Sequence, residues 1–197
     1  MTRPLFSILT SVNLWNQDRV EQFLRCIESV RSQTFKDFEC VIVDDGSTEQ
    51  VLWKNILKDI PHIRLIHKEH EERVIGYSAG FKKARGEWFC LLDSDDEYHR
   101  FYLELLKDQI EAIPANKMFN FGSIHNWADG NVTIKDVFRP AVLEIGHEIF
   151  GGGNIVWGTF IFHRSVYEDL GAYPPKVIRN VDCSEINYGK PTCAGRE

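Results

Sequence analysis

The chain has no excess of basic charge, no apolar run long enough to cross a bilayer and no paired-cysteine motif. Each absence closes off a class of function. A net charge of −6 over 197 residues offers no broad positive surface to nucleic acid or to an anionic membrane. Any phosphate must be held locally, by a cation, a helix start or a few basic side chains. No apolar stretch is long enough for a transmembrane helix. Met1-Thr2-Arg3-Pro4 leads into only a short apolar run, which does not read as a signal peptide. The five cysteines, Cys26, Cys40, Cys90, Cys183 and Cys193, are odd in number and include no CxxC pair, so reduced thiols in a cytoplasmic compartment are expected. No GxGxxG follows the first apolar run, which excludes the dinucleotide fingerprint. Internal repeats and low-complexity segments are also missing. What is there is an ordinary globular composition, 43% hydrophobic and 26% charged, long enough for one domain with a sizeable core.

The most informative stretch is Phe89-Cys90-Leu91-Leu92-Asp93-Ser94-Asp95-Asp96-Glu97. Its apolar half reads as a short strand buried on both faces, as in a parallel sheet. Its acidic half falls where that strand leaves the sheet, and ligands of open α/β sheets bind at that end. Asp93, Asp95 and Asp96 repel one another unless a cation neutralises them. A hard divalent ion suits carboxylate oxygens and can bridge them to a phosphate-bearing substrate. The competing assignment is a helix start, with Asp95 or Asp96 capping a helix that begins near Tyr98.

Strands and helices alternate through the first half. Strands are expected at Leu5 to Leu9, Phe38 to Val43, Ile63 to His67 and Glu87 to Leu92. Helices fall between them. The first is capped by Asn16 or Asp18, with a buried stripe of Val20, Phe23, Leu24, Ile27 and Val30. Another covers Val51 to Leu57. A third runs from Gly76 to Ala84, with Gly86 in the left-handed position that ends it. This order implies a mostly parallel sheet with helices on both faces. It places Thr10-Ser11, Asp44-Asp45 and Asp93 to Asp96 at strand carboxyl ends, where all can line one crevice, and so favours the metal site over the cap. In the second half a helix covers Tyr102 to Ile113 and ends at Pro114. Met118 to Ile124 pairs with Val132 to Phe138 across an Asp129-Gly130 turn. After the Gly151-Gly152-Gly153 loop come a strand at Thr159 to Phe162 and a helix at Ser165 to Leu170.

Four stretches, in order, resemble the inverting glycosyltransferases of family 2, which have the glycosyltransferase-A fold. They are Phe6-Ser-Ile-Leu-Thr-Ser-Val-Asn13, Ser32-Gln-Thr-Phe-Lys-Asp-Phe-Glu-Cys-Val-Ile-Val-Asp-Asp-Gly-Ser-Thr48, Ala84-Arg-Gly-Glu-Trp-Phe-Cys-Leu-Leu-Asp-Ser-Asp-Asp96 and His163-Arg-Ser-Val-Tyr-Glu-Asp-Leu-Gly-Ala-Tyr173. The third is similar to the family's metal-binding DxD segment. The resemblance implies a single catalytic domain over 1–197, with a nucleotide-binding half at 1–97, an acceptor-side half at 98–175 and an unassigned end at 176–197. It implies that Thr10 and Asp45 contact the nucleotide base, with Ser11 and Asp44 beside them. Asp93 then lies near the ribose and the metal, and Asp95 coordinates Mn²⁺ or Mg²⁺, with Asp96 as second candidate. The implied substrates are a nucleotide-sugar donor, with UDP a family-level expectation, and a saccharide or lipid-linked acceptor. The implied setting is polysaccharide or glycoconjugate synthesis in the cytoplasm or at the inner face of the membrane.

The chain departs from the family pattern in places. Val12 stands where an aromatic residue is frequent, and Tyr77-Ser78 where Arg-Asn is frequent. After Leu170-Gly-Ala-Tyr173 the usual Glu-Asp pair is replaced by Asp182-Cys-Ser-Glu185. Glu185 is the favoured general base and Asp182 the alternative. Two rival readings stay open: a nucleotide-sugar-binding module with no working base, and a sugar nucleotidyltransferase. The latter is expected to carry glycine after the first strand, and Thr10 to Asn13 has none. Lys82 and Lys83 read as a solvated helix face, and Arg85 as a candidate phosphate contact. His67 and His70 read as surface residues, and Trp157 as a core tryptophan. The abrupt stop after Pro191-Thr-Cys-Ala-Gly195 suggests a truncated C-terminus.

Overall fold

The computed structural model describes residues 3–49, 51–71, 73–120, 123–126, 132–135 and 160–169. The elements in chain order are β1 (Phe6–Val12), α1 (Gln17–Arg31), β2 (Phe38–Asp45), α2 (Trp53–Ile56), β3 (Ile63–Lys68), α3 (Arg73–Lys83), β4 (Trp88–Leu91), α4 (Tyr102–Ala112), β5 (Met118–Asn120), β6 (Ser123–Asn126), β7 (Val132–Lys135), β8 (Phe160–His163) and α5 (Arg164–Asp169). One six-stranded sheet has the order β3-β2-β1-β4-β8-β5, and β6 and β7 form a separate antiparallel pair. β3, β2, β1 and β4 run parallel, while β8 is antiparallel to both β4 and β5. The expected mostly parallel sheet with an antiparallel part is therefore present.

Alternation along the central strands explains the layers. Phe6 and Ile8 of β1, Cys40 and Ile42 of β2, and Cys90 of β4 face Phe23 and Ile27 of α1 and Leu103 and Leu106 of α4. Leu9, Val41, Phe89 and Leu91, one position out of phase, face Tyr77 and Phe81 of α3 and Val166 of α5. With both faces covered, these strands have no solvent side, which is why their sequences run nearly unbroken in apolar residues. Each fully buried aromatic or aliphatic side chain contributes roughly 1.5–3 kcal/mol of transfer free energy. The three cysteines on these elements, Cys26, Cys40 and Cys90, are buried and free, and burial raises the thiol pKa of each.

Several expectations are corrected. β1 continues through Val12, because Thr10, Ser11 and Val12 pair with Ile42, Val43 and Asp44 of the longer β2, so Thr10-Ser11 lies within the strand and the strand does not stop at Leu9. Leu24 is 43% exposed, and the α1 stripe is completed by Cys26 and Ser29 instead. Of the two candidate caps for α1, Asn16 serves: its side chain accepts from Arg19 N. The helix expected over Val51 to Leu57 is a single turn. Met118 to Ile124 divides between β5, in the main sheet, and β6, which pairs with β7. Asp129-Gly130, Gly151 to Gly153 and Trp157 lie outside the described residues. Among the described residues no helix is long and apolar enough to cross a membrane.

Gly86 is required, but for a different reason than expected. Gly46 has a left-handed φ of 72° and Gly86 does not. At Gly86 an added Cβ would stand 2.5 Å from Ser7 N and 2.6 Å from the carbonyl carbon of Phe6. The α3–β4 connection passes that close to β1 because it binds Glu39, a carboxylate with 0% exposure at the amino-terminal edge of the sheet. Glu39 Oε1 accepts from Ser7 Oγ (2.7 Å), Gly86 N (3.2 Å) and Arg85 N, and its Oε2 pairs with Arg85 and Arg64. Burial pushes the Glu39 pKa up, but the hydrogen bonds from Arg85, Ser7 and Gly86 outweigh it and hold the group below the usual carboxylate range.

Two outcomes are expected. Gly86→Ala should destabilise the fold by about 1–3 kcal/mol in urea denaturation, since backbone and not a flexible side chain must yield. Glu39→Gln should destabilise it at neutral pH, and the gap should close as pH falls. A depressed pKa contributes stability above the unfolded value that is lost on descending through the folded one, so acid titration of both proteins checks the sign.

Candidate functional site

The sheet changes direction at β1. The chain steps from β1 outward to β2 and β3, then returns through α3 to β4 on the other side of β1. A crevice at such a switch point, outside the carboxyl ends of the strands, is where open α/β sheets bind ligands. Val12 pairs with Asp44, and Leu92 N donates to Leu9 O at 3.0 Å, so the ends of β2 and β4 flank the end of β1. The three acidic or polar strand ends expected to share one edge do share it.

On the β2 side, Asp44 and Asp45 are buried and fully engaged. Asp44 Oδ1 accepts from Ser47 N at 3.0 Å and closes the turn around Gly46, while Oδ2 lies 2.8 Å from His67 Nδ1. Asp45 Oδ1 accepts from Lys68 Nζ and from Glu71 N (3.2 Å). Its Oδ2 lies 2.9 Å from His70 Nδ1. Asn13, just after β1, donates through Nδ2 to Asp45 O at 2.6 Å and lies 2.8 Å from His70 Nδ1. His70 therefore has two settings: unprotonated at Nδ1 it accepts from Asn13, and protonated there it donates to Asp45. Lys68 is 15% exposed. Burial lowers its pKa, but hydrogen bonds and charge from Asp45 and Glu71 more than offset this and hold it above the ordinary lysine range. At the end of β1, Ser11 is partly exposed, whereas Thr10 is buried and its Oγ1 has no hydrogen-bond partner among the described residues.

On the β4 side, the acidic turn is pinned from three elements. Asp96 N donates to Asp93 O (3.0 Å) and sets the turn. Tyr77 of α3 donates through its hydroxyl toward Asp93 Oδ1 (2.7 Å) and Leu92 O (3.3 Å). From α1, Cys26 Sγ reaches Asp93 O (3.6 Å), Ser29 Oγ accepts from Tyr98 N (3.0 Å) and Arg19 pairs with Asp95 at 2.9 Å. Tyr98 stacks on Tyr102 at 4.0 Å and donates to Leu91 O, which fixes the exit from the turn. Helix α4 begins only at Tyr102, and its cap residue Phe101 makes no side-chain cap bond. Neither Asp95 nor Asp96 caps it, which removes the competing assignment for these carboxylates.

The donor chemistry fits a hard cation that shares its coordination. Asp93, Asp95 and Asp96 offer the oxygen ligands Mg²⁺ and Mn²⁺ prefer. Among the described residues no three His, Cys, Asp or Glu side chains gather closely enough to cage an ion. Mg²⁺ is commonly held by one or two carboxylates plus substrate phosphates and water, a coordination that needs no such cage.

Other sequence candidates fall elsewhere. Arg85 pairs with Glu39 at the opposite edge of the sheet, so it is not a phosphate contact here. Lys82 and Lys83 are exposed. Asp182 and Glu185 lie outside the described residues. His67 and His70 are exposed as read, yet each is hydrogen-bonded to an aspartate of the site. With Lys68, Asn13, Tyr77 and Arg19 they are the members that sequence reasoning missed. The one signal that could have found His67 and Lys68 is register: β2 and β3 pair Asp44 with His67 and Asp45 with Lys68.

The family model for Glycosyl transferase family 2 matches residues 15–171, well over half of the chain. The protein belongs to glycosyl transferase family 2. Among its relatives is an uncharacterized glycosyltransferase of Rickettsia felis, 37% identical over 89 residues, which are 45% of this chain and 15% of that protein. A glucosyl-dolichyl phosphate glucuronosyltransferase of Haloferax volcanii is 26% identical over 192 residues, 91% of this chain and 59% of that one. The chain thus spans only part of the length of these relatives. In structure it is similar to S. aureus TarS 1-349 in complex with UDP, with a TM-score of 0.61, 20% identity and coverage of 89% of this chain and 52% of that one. It is also similar to a mannosyltransferase of Pyrobaculum calidifontis in complex with GDP-Man and Mn²⁺, with a TM-score of 0.58, 16% identity and coverage of 88% and 48%. The fold is that of the glycosyltransferase-A enzymes, as the sequence implied.

Asp45→Asn should destabilise the protein by about 1–3 kcal/mol, because Lys68 then keeps a largely buried charge with the more exposed Glu71 as its one remaining carboxylate partner. Adding Lys68→Met should recover much of the loss. A urea double-mutant cycle measures the coupling.

Proposed function

We propose that this chain is the donor-binding and catalytic domain of an inverting, metal-dependent glycosyltransferase. It moves a sugar from a nucleoside-diphosphate donor to a hydroxyl of a saccharide or lipid-linked acceptor. The observation that carries this reading is the pairing of two carboxylate groups across one sheet edge: buried Asp44 and Asp45 after β2, and Asp93 and Asp95 after β4, with the end of β1 between them.

The division of labour follows from surroundings. Asp45, with its hydrogen bonds to Lys68 and His70, forms a rigid polar wall suited to the edge of a nucleobase. Ser11 and Asn13 complete that wall from β1. Asp93, steadied by Tyr77, faces the ribose, and Asp95 with Asp93 or Asp96 supplies the oxygen ligands for Mn²⁺ or Mg²⁺. When bound, the ion offsets negative charge that develops on the departing diphosphate. A nucleoside diphosphate is already a good leaving group, so no general acid is needed. The acceptor hydroxyl requires one general base on the opposite face of the sugar, unlike the two carboxylates of most glycoside hydrolases. That base is Glu185, with Asp182 the alternative. UDP is the first donor nucleotide to test, supported by the fold's likeness to TarS, which was solved with UDP.

Calorimetric titration of UDP in Mn²⁺, then in excess chelator, tests the reading, with GDP and TDP next. Binding that requires the ion is expected. Asp95→Ala should weaken metal-dependent binding by more than about tenfold, beyond the usual lower cost of an outer-shell change, and unchanged affinity removes Asp95 from the site. Glu185→Gln should leave donor binding intact and stop transfer, followed as release of nucleoside diphosphate. If transfer persists, Glu185 is not the base.

A further inference from the structure

The acidic turn already carries a cation built into the chain. Arg19 Nη1 lies 2.9 Å from Asp95 Oδ2 and 3.0 Å from Gln22 Oε1, and its Nη2 lies 3.3 Å from Ser94 Oγ. Its Cζ sits 4.8 Å from the centre of the Trp15 ring. The backbone beneath is fixed as well, since Arg19 N donates to the cap residue Asn16 at 2.9 Å. The guanidinium is therefore held by two residues of the turn, by its own helix and by an aromatic face. It is 21% exposed, against 47% for Asp95. Most surface ion pairs hold two long, mobile side chains and contribute little. This one is anchored on one side before the pair forms.

A carboxylate oxygen that accepts from Arg19 is a poorer ligand for a divalent ion, and the neighbouring positive charge repels that ion. A diphosphate changes both terms. It brings negative charge that recruits the ion, and it offers the guanidinium a second anion of matching geometry.

Resting on the donor-site reading above, we propose that Arg19 gates the acidic turn. It holds Asp95 in an ion pair until a nucleoside diphosphate arrives, so that the divalent cation enters with the nucleotide and not ahead of it. Arg19 acts through Asp95 and is a positioning residue. The device makes metal affinity a property of the nucleotide-bound protein and keeps the turn from collecting free divalent ions.

The test is Mn²⁺ titration of the full chain, read from the paramagnetic resonance signal of the free ion. It is run without nucleotide and with saturating UDP, or GDP or TDP if UDP does not bind. The wild-type protein is expected to retain Mn²⁺ far better with nucleotide. Arg19→Gln should tighten nucleotide-free Mn²⁺ binding by about threefold to fivefold and narrow the ratio between the two conditions. Arg19→Lys keeps the charge without the two-pronged grip and should fall between them. If Arg19→Gln shows no cooperative thermal melt, Arg19→Lys carries the comparison. Equal nucleotide-free Mn²⁺ affinity in wild type and a folded Arg19 variant overturns the gate while leaving the site in place. Failure of the wild type to retain Mn²⁺ with any of the three nucleotides overturns the donor-site reading and the gate with it.

Discussion

The constraint on which this structure depends is that β1, β2 and β4 are covered on both faces. Charged side chains have almost nowhere to go along those strands, so they collect at the two edges of the sheet. The edges treat them differently. At the amino-terminal edge, Glu39 is sealed in by backbone amides, a hydroxyl and two arginines, with no exposure left. At the carboxyl-terminal edge, carboxylates are steadied mainly by side chains from β3, the loop after it, α1 and α3, and of these Arg19, His67 and His70 remain partly open to water. The first arrangement is what a structural carboxylate needs. The second leaves acceptors that a ligand can compete for.

The β1–α1 connection ties these halves together. Asn13 and Leu14 lace it to the turn after β2, through Asp45 O, Ser47 Oγ and the amides of Thr48 and Glu49. Five residues further on, Arg19 reaches the turn after β4. A single loop thus sets the distance between the wall assigned to the base and the turn assigned to the metal. Family membership and fold are established for the chain, while the chemistry proposed rests on how this loop and the two turns meet.

Much of this was legible in the sequence. The mostly parallel sheet, the three polar strand ends and the acidic turn follow from apolar periodicity and short connections, because burial on both faces leaves a strong imprint on composition. What was not legible depended on register or on close approach. His67 looks like a surface histidine until β3 is paired with β2, and His70 until the loop after β3 is seen to fold back on Asp45. Arg85 looks like a phosphate ligand until the connection before β4 is seen to return to the far edge. Gly86 resembles a helix terminator, but its small size matters because backbone passes against backbone. Leu24 fits the helical stripe by spacing yet faces outward, since the neighbouring Cys26 and Ser29 fill the space beneath the turn.

The position of β8 has a consequence for how the protein comes into being. It is the last strand described in sequence, yet it lies between β4 and β5 and bonds to both. During synthesis, β1 to β4 emerge first and can pair, but the outer edge of β4 stays open until Phe160–His163 has left the ribosome. Through that interval Trp88, Phe89 and Cys90 present an unpaired, apolar strand edge of the kind that recruits other chains. Contacts between such distant parts of a chain also form slowly. The step that completes the sheet thus waits on a strand encoded far beyond the ones it closes.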